Sequence, residues 1–342
     1  MIWIAWRYQR SVVFALSLLA LVVIGVAVYN GVTLHHDAMS FMGAPCHGNQ
    51  VVTKGRGDLC GVLDVKLANA EHYSSEIRFA GFIIAPLVGA LLGLLALGNE
   101  LDNRTARLAW TQSISRTRWC ATKAGVGAAI VAVLLIPTAV VLSWWSGQGP
   151  STNVFNSENF GVAGWDLVAY GLFTFALTLL IGAVIRRVGW ALAAAVVVFL
   201  AVALTFPAHV RPHLVTPTVH WSRPTLATKG KAYANADYFP QNSLLLVNGV
   251  VSRTTVGIPT WNDVFAVEPR ITACEGNYPQ ESESTYLKTE VRCYRTLDVE
   301  QVSVYIPGDE FWTLQLREGV IYLVAGLALA GGSLLVVRRI EP

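Results

Sequence analysis

Apolar residues run along this chain in six long blocks that carry no Asp, Glu, Lys or Arg: 11–29, 79–98, 124–146, 167–185, 188–208 and 319–337. Each is close to the roughly 20 helical residues needed to cross a hydrocarbon core about 30 Å thick. In lipid only a structure that satisfies its own backbone polar groups can span. The pattern therefore predicts six transmembrane helices. Polar positions gather in four longer connections, 30–78, 99–123, 147–166 and 209–318. The first has a turn-rich middle between Gly48 and Gly61, and the third is rich in Gly, Ser and Asn. Only 209–318, about 110 residues, is long enough for a folded domain. In its later half Leu287, Val291 and Cys293 alternate with charged neighbours, and Val302, Val304 and Ile306 follow at strand spacing. Pro212, Pro217, Pro224 and Pro240 predict irregular structure in its first half. The predicted fold is an α-helical membrane protein, with a small α+β extracytoplasmic domain between the fifth and sixth helices. Its parts are a membrane domain over 1–208, that domain over 209–318, and a last span with its tail over 319–342.

Composition agrees. Hydrophobic residues make up 54% of the 342 and charged residues only 14%, against about 25% charged in soluble proteins. This excludes a single soluble domain, a disordered chain and a nucleic-acid-binding protein. The net charge of +3 is too small to imply a polyanionic partner, but the placement of the charges is informative. With the N-terminus in the cytoplasm, the inner segments hold eleven basic residues against three acidic ones. Arg7 and Arg10, Arg186 and Arg187, and Arg338 and Arg339 then flank spans on the inner side, as the positive-inside rule expects. The expected location is a cell membrane, with both termini cytoplasmic. The first block is too long for a signal-peptide core, and no small-x-small site follows it, so an uncleaved span is expected.

Four of the five cysteines, Cys46, Cys60, Cys274 and Cys293, fall outside on this topology, and Cys120 falls inside. An even outer count in two local pairs predicts two disulfides, Cys46 with Cys60 and Cys274 with Cys293. Residues 1–10, with Trp3, Trp6 and Tyr8 beside Arg7 and Arg10, suit either a short interfacial helix or a simple anchor. Gly81, Ala85, Gly89 and Gly93 form a small-residue face, open to a partner copy or to a helix of the same chain. Pro86 and Pro137 fall where they would kink the second and third spans. Trp144, Trp145, Trp165 and Trp190 read as interfacial belts. His209 and His213 stand four apart, but prolines interrupt any helix there and no carboxylate is near in sequence, so no metal site is expected. No nucleophile, base and acid occur at a spacing that suggests catalysis.

Charge-free blocks weaken the case for ion-coupled transport, and no phosphate-binding loop G-x-x-x-x-G-K-[ST] occurs. A transporter of this composition would take its energy from another subunit. The most informative segment is the inner connection 99–123. Helix formers run from Glu100 to Gln112, and Leu101, Thr105, Leu108 and Gln112 share one face. A short helix there would present Arg104, Arg107 and Trp110 to the cytoplasm. The residues Glu100, Thr105, Leu108, Thr111, Gln112, Ser113, Ser115, Arg116, Trp119 and Lys123 form a pattern that resembles the coupling segment of ABC exporter permeases of the type-2 class, particularly its actinobacterial-like members.

That resemblance implies a permease subunit without catalytic residues. A second permease copy or related chain would face it. Two ABC ATP-binding subunits would carry the ATP and Mg and dock on Glu100, Arg104, Thr105, Arg107, Leu108, Trp110 and Gln112. Arg116 would lie at the return into the third span. Charge-free spans suit an apolar or amphiphilic cargo such as a lipid, a drug-like molecule or a hydrophobic peptide, with membrane lipid as the surrounding partner. The alternative function is a membrane-anchored sensor or assembly factor that uses 209–318 to bind a ligand.

Overall fold

The structure is a computed structural model of the chain. It describes residues 2–43, 57–98, 115–148, 155, 157–222, 243–252, 254–255, 257–274, 296–297 and 299–339. The chain divides into two compact units, Met1–Arg211 with Trp312–Pro342, and Pro212–Phe311.

The first unit is helical. Its elements are α1 (Ile2–Gly43), α2 (Gly57–Gly93, continued by a π turn over Leu94–Gly98), α3 (Arg116–Ser146), a one-turn α4 (Ser157–Phe160), α5 (Asp166–Ile185) and α6 (Val188–His209); the last long helix is Phe311–Arg339. Six of these helices are long and apolar enough to cross a membrane, so the expected six-span architecture holds. The end from which the chain leaves for residues 212–311 is here called the domain end.

The helices extend well beyond the apolar blocks. At 1.5 Å per residue, the 42 residues of α1 and the 37 of α2 reach about 63 and 55 Å. The expected loop over 30–78 is therefore helix over 30–43 and 57–78. The extension holds because its apolar positions meet: Leu34, Ala38 and Ala70 form a buried cluster. Asn30 ties three helices together. Its Nδ2 donates to the Ala70 carbonyl at 3.2 Å, and its Oδ1 accepts from the Trp145 indole at 2.9 Å. Trp145 is accordingly buried, not in an interfacial belt, whereas Trp144, Trp165 and Trp190 are exposed. Residues 2–10 continue α1 without a break.

Helix α5 is the axis of the bundle and packs against α2, α3 and α6. Close approach depends on missing side chains. A Cβ built on Gly89 would meet the Gly171 carbonyl oxygen and come within 2.9 Å of Phe175 N. One on Gly93 would meet the Thr178 hydroxyl and lie 2.6 Å from the Phe175 carbonyl oxygen, and one on Gly81 would lie 2.7 Å from Val162. Ala85 is fully buried. The small-residue face of α2 is thus filled by groups of the same chain. Pro86 and Pro137 both lie inside their helices. α5 stops at Arg186, which takes a left-handed conformation (φ 54°) while its N–H donates to Gly182 O.

The second unit is a three-stranded antiparallel sheet in the order β1 (Thr218–Ser222), β3 (Val299–Ile306), β2 (Leu244–Ser252), with helix α7 (Trp261–Cys274). β3 has a partner on each side: Val304 faces Val219 of β1 and Val247 of β2. Its last six residues are all buried, so the alternating valines expected over 302–306 do form a strand. β1 and β2 replace part of the irregular structure expected from the prolines. β1 fits between Pro217 and Pro224, where every backbone donor it needs is still present. Val247, Val251, Val302 and Val304 form the core, with Val264 of α7 packed against it. The start of α7 is capped by Asp263, whose Oδ2 accepts from the Thr260 N–H at 2.8 Å and its hydroxyl at 2.7 Å. The Thr260 hydroxyl bond, and then the N–H bond, hold the Asp263 carboxyl below its ordinary pKa. The last long helix, α8 (Phe311–Arg339), begins seven residues before the boundary expected at 318.

The expected disulfides are corrected. No disulfide is present among the described residues, and Cys120 is a buried free thiol. Cys60 lies in α2 and Cys274 in α7, while Cys46 and Cys293 lie outside the described residues. An even count, the oxidising compartment and closeness in sequence were the arguments for the pairing, and none of them by itself brings two Cα atoms within the roughly 7 Å that a disulfide requires.

Candidate functional site

Of the residues expected to couple to an ATPase, Glu100, Arg104, Thr105, Arg107, Leu108, Trp110 and Gln112 lie outside the described residues. Arg116 is the first residue of α3. Ser115 caps that helix, its hydroxyl oxygen accepting the Arg118 N–H at 3.4 Å. Trp119 is buried, and the Lys123 ammonium sits 4.9 Å from its ring centroid. The segment therefore enters α3 through a capped and packed first turn.

The described part of the membrane unit holds a different polar site, at the domain end. Three chain segments bring it together. α5 starts at Asp166, Arg211 follows the end of α6, and Glu318 lies in the second turn of α8. Arg211 and Glu318 form a two-pronged ion pair, with Nε to Oε2 at 2.8 Å and Nη2 to Oε1 at 2.9 Å. Their side chains are 4% and 0% exposed. The Tyr170 hydroxyl donates to the same Glu318 Oε1 at 2.7 Å. The Arg211 guanidinium carbon lies 3.9 Å from the centroid of the Phe160 ring. Burial works against the charge on Arg211, but hydrogen bonds and attraction from Glu318 outweigh it and raise its pKa above the ordinary guanidinium value. The pair is thus desolvated and held from several directions.

Gln315, one turn before Glu318, braces the connection between α4 and α5. Its Nε2 donates to the carbonyls of Phe160 and Ala163, both at 2.8 Å, and its Oε1 accepts the Asp166 N–H at 3.2 Å. This bracing needs Gly164, whose φ of +80° favours glycine and whose Cβ would come within 2.8 Å of Gln315 Oε1. α8 then lies along α5. Gly319 faces Asp166 and Ala169, Gly326 faces Phe173, and Gly332 faces Leu180. Asp166 is fully buried, and neither carboxylate oxygen has a hydrogen-bond partner among the described residues.

Beside the ion pair is a cavity of about 310 Å³ between α2, α6 and α8. Arg78, Phe82, Tyr170, Phe199, Arg211 and Tyr322 are among its lining residues. The Tyr322 ring is fixed edge-on against Tyr170 and Phe173, at centroid distances of 4.8 and 5.4 Å. Two rim residues, Phe79 and Leu204, are 65% and 74% exposed, so the cavity opens on the apolar flank of the bundle.

The charge-free reading of the spans needs amending here. Asp166 immediately precedes one apolar block and Glu318 another, so blocks that stop at the first charge leave both outside. Both are buried within the helical unit. The available signal was the sign of the flanking charges. Two acids begin spans and a base follows one at the same end of the bundle, an arrangement in which they can meet.

Comparison with known proteins places the bundle. A family model described as ABC-2 membrane transporter related matches residues 16–211, more than half of the chain. No curated protein and no solved structure matches. The match covers the first span from residue 16, the next four spans, the connection 99–123 and Arg211. The chain therefore belongs to the ABC-2 membrane transporter related family and is a multi-pass permease, not itself an enzyme.

Proposed function

We propose that this chain is the membrane subunit of an ATP-driven exporter that moves an apolar or amphiphilic cargo outward. Permeases of this family generally work with a separate nucleotide-binding ATPase subunit. Two such subunits, carrying ATP and Mg, would dock on Glu100, Arg104, Thr105, Arg107, Leu108, Trp110 and Gln112. A second permease, identical or related, would complete the path. Both termini and residues 99–123 would face the cytoplasm, and residues 212–311 the opposite side, as the basic residues favour.

The observation that carries this reading is the family match across the connection 99–123, joined to the capped start of α3. A push on that connection would act directly on α3, because Ser115, Trp119 and Lys123 leave little slack in the first turn. The partner copy would use a face other than the small residues of α2, since groups of the same chain already fill those.

The test is purification of the tagged full-length chain from its own membranes in mild detergent. An ABC ATPase should co-purify in near-equal amount, and the permease alone should hydrolyse no ATP. Absence of any ATPase, with a different cytoplasmic protein in its place, would overturn the proposal and favour the sensor or assembly-factor reading.

A further inference from the structure

The cavity at the domain end has a wall of definite chemistry. Arg78 and Arg211 line it together with Ser75 and with aromatic and aliphatic groups, and among the described residues no carboxylate does. Glu318 and Asp166 sit behind the wall at 0% exposure. Arg211 uses Nε and Nη2 on Glu318, and its Nη1 makes no hydrogen bond among the described residues. The Tyr322 hydroxyl likewise makes none, although its ring is clamped by Tyr170, Phe173 and Phe206. Arg211, Tyr322 and a second guanidinium, that of Arg78, thus line one small space. Beside them Phe79, Phe82, Phe199 and Leu204 lead out to the apolar flank.

We propose that this cavity binds the acidic head of a membrane-derived amphiphile, with the head on Arg78, Arg211 and Tyr322 and the hydrocarbon along the Phe79–Leu204 opening. Each wall feature has a counterpart in such a ligand. Guanidinium groups favour phosphate or carboxylate oxygens, and Glu318 fixes the Arg211 fork so that its remaining edge is already oriented. The volume of about 310 Å³ lies at the small end of ligand pockets, so it takes a head and the first part of a chain, not a whole two-chain lipid. The exposed rim makes the bilayer the source. The assignment deepens the exporter reading by naming the head chemistry of its cargo and depends on that reading for the cargo role alone.

The experiment uses the full-length chain in detergent and fluorescence anisotropy of a phosphatidylglycerol probe. Unlabelled phosphatidylglycerol should compete, phosphatidylcholine should compete about tenfold less well, and inorganic phosphate should not compete. Losing one charge-assisted contact should weaken probe binding about tenfold, so Arg78→Gln should do so while Arg78→Lys retains part of the affinity. Tyr322→Phe keeps the ring packing and should weaken binding several-fold. Ala203→Phe narrows the cavity from the apolar side and serves if an Arg78 variant fails to fold. Equal competition by phosphatidylcholine or by inorganic phosphate would overturn the proposal, as would full affinity in both Tyr322→Phe and Ala203→Phe. Phosphatidylglycerol that binds at this site but is not moved by the permease with its ATPase would sink the cargo role and leave the site standing. Phosphatidylglycerol transport without binding here would sink the site and leave the exporter reading standing.

Discussion

Glu318 accepts three hydrogen bonds in a space closed to solvent, two from Arg211 and one from Tyr170. Removing one member of such a buried pair strands the other charge at a cost of about 3–5 kcal/mol. Glu318→Ala should therefore lower the thermal unfolding midpoint sharply in detergent. Asp166 presents the opposite case, because its oxygens have no hydrogen-bond partner among the described residues. Asp166→Asn gives up no hydrogen bond and should stay within about 1 kcal/mol of the parent. Equal losses in the two variants would contradict this division of labour. Arg186 supplies a third case. Its φ of 54° favours glycine, so Arg186→Gly should raise stability by about 0.5–1 kcal/mol in the same unfolding measurement. None of these three roles was legible in the sequence. Span-finding assigns charges to loops, and Asp166 and Glu318 each stand one residue outside an apolar block.

Helix packing follows another rule. Gly89 and Gly93 let α2 approach α5 at backbone distance, whereas Gly125 on α3 has nothing within 4 Å of its Cβ position. Gly89→Ala should destabilise by about 1–3 kcal/mol through overpacking, and Gly125→Ala should stabilise by up to about 1 kcal/mol through helix propensity. Chemical unfolding of the two variants checks the contrast, and a stabilising Gly89→Ala would overturn the packing account. The small-residue pattern itself was visible in the sequence, but the identity of the facing helix was not, because spacing along one helix says nothing about what covers it. The six spans were legible for the opposite reason. Long uncharged blocks must be helical in lipid whatever their neighbours are. The extensions of α1 and α2 beyond the apolar blocks escaped notice because they are stabilised by tertiary contacts such as those of Asn30, not by hydropathy.

At the scale of the molecule the chain forms two compact units. A membrane bundle built around α5 carries the family match, and a small sheet with its own valine core is inserted between the last two spans. The insertion was legible as a domain from length and strand spacing. The disulfide framework expected with it rested on cysteine count and compartment, and neither fixes geometry. The central proposal is mechanical: residues 99–123 would transmit the work of an ATPase subunit to α3 and hence to the bundle. Its most direct test is reversal of charge at Arg104 and Arg107 together, with ATP hydrolysis and substrate movement measured in the same vesicles containing permease and ATPase. The account predicts that hydrolysis continues while transport falls to background. Transport at the parental rate in the reversed-charge protein would contradict it.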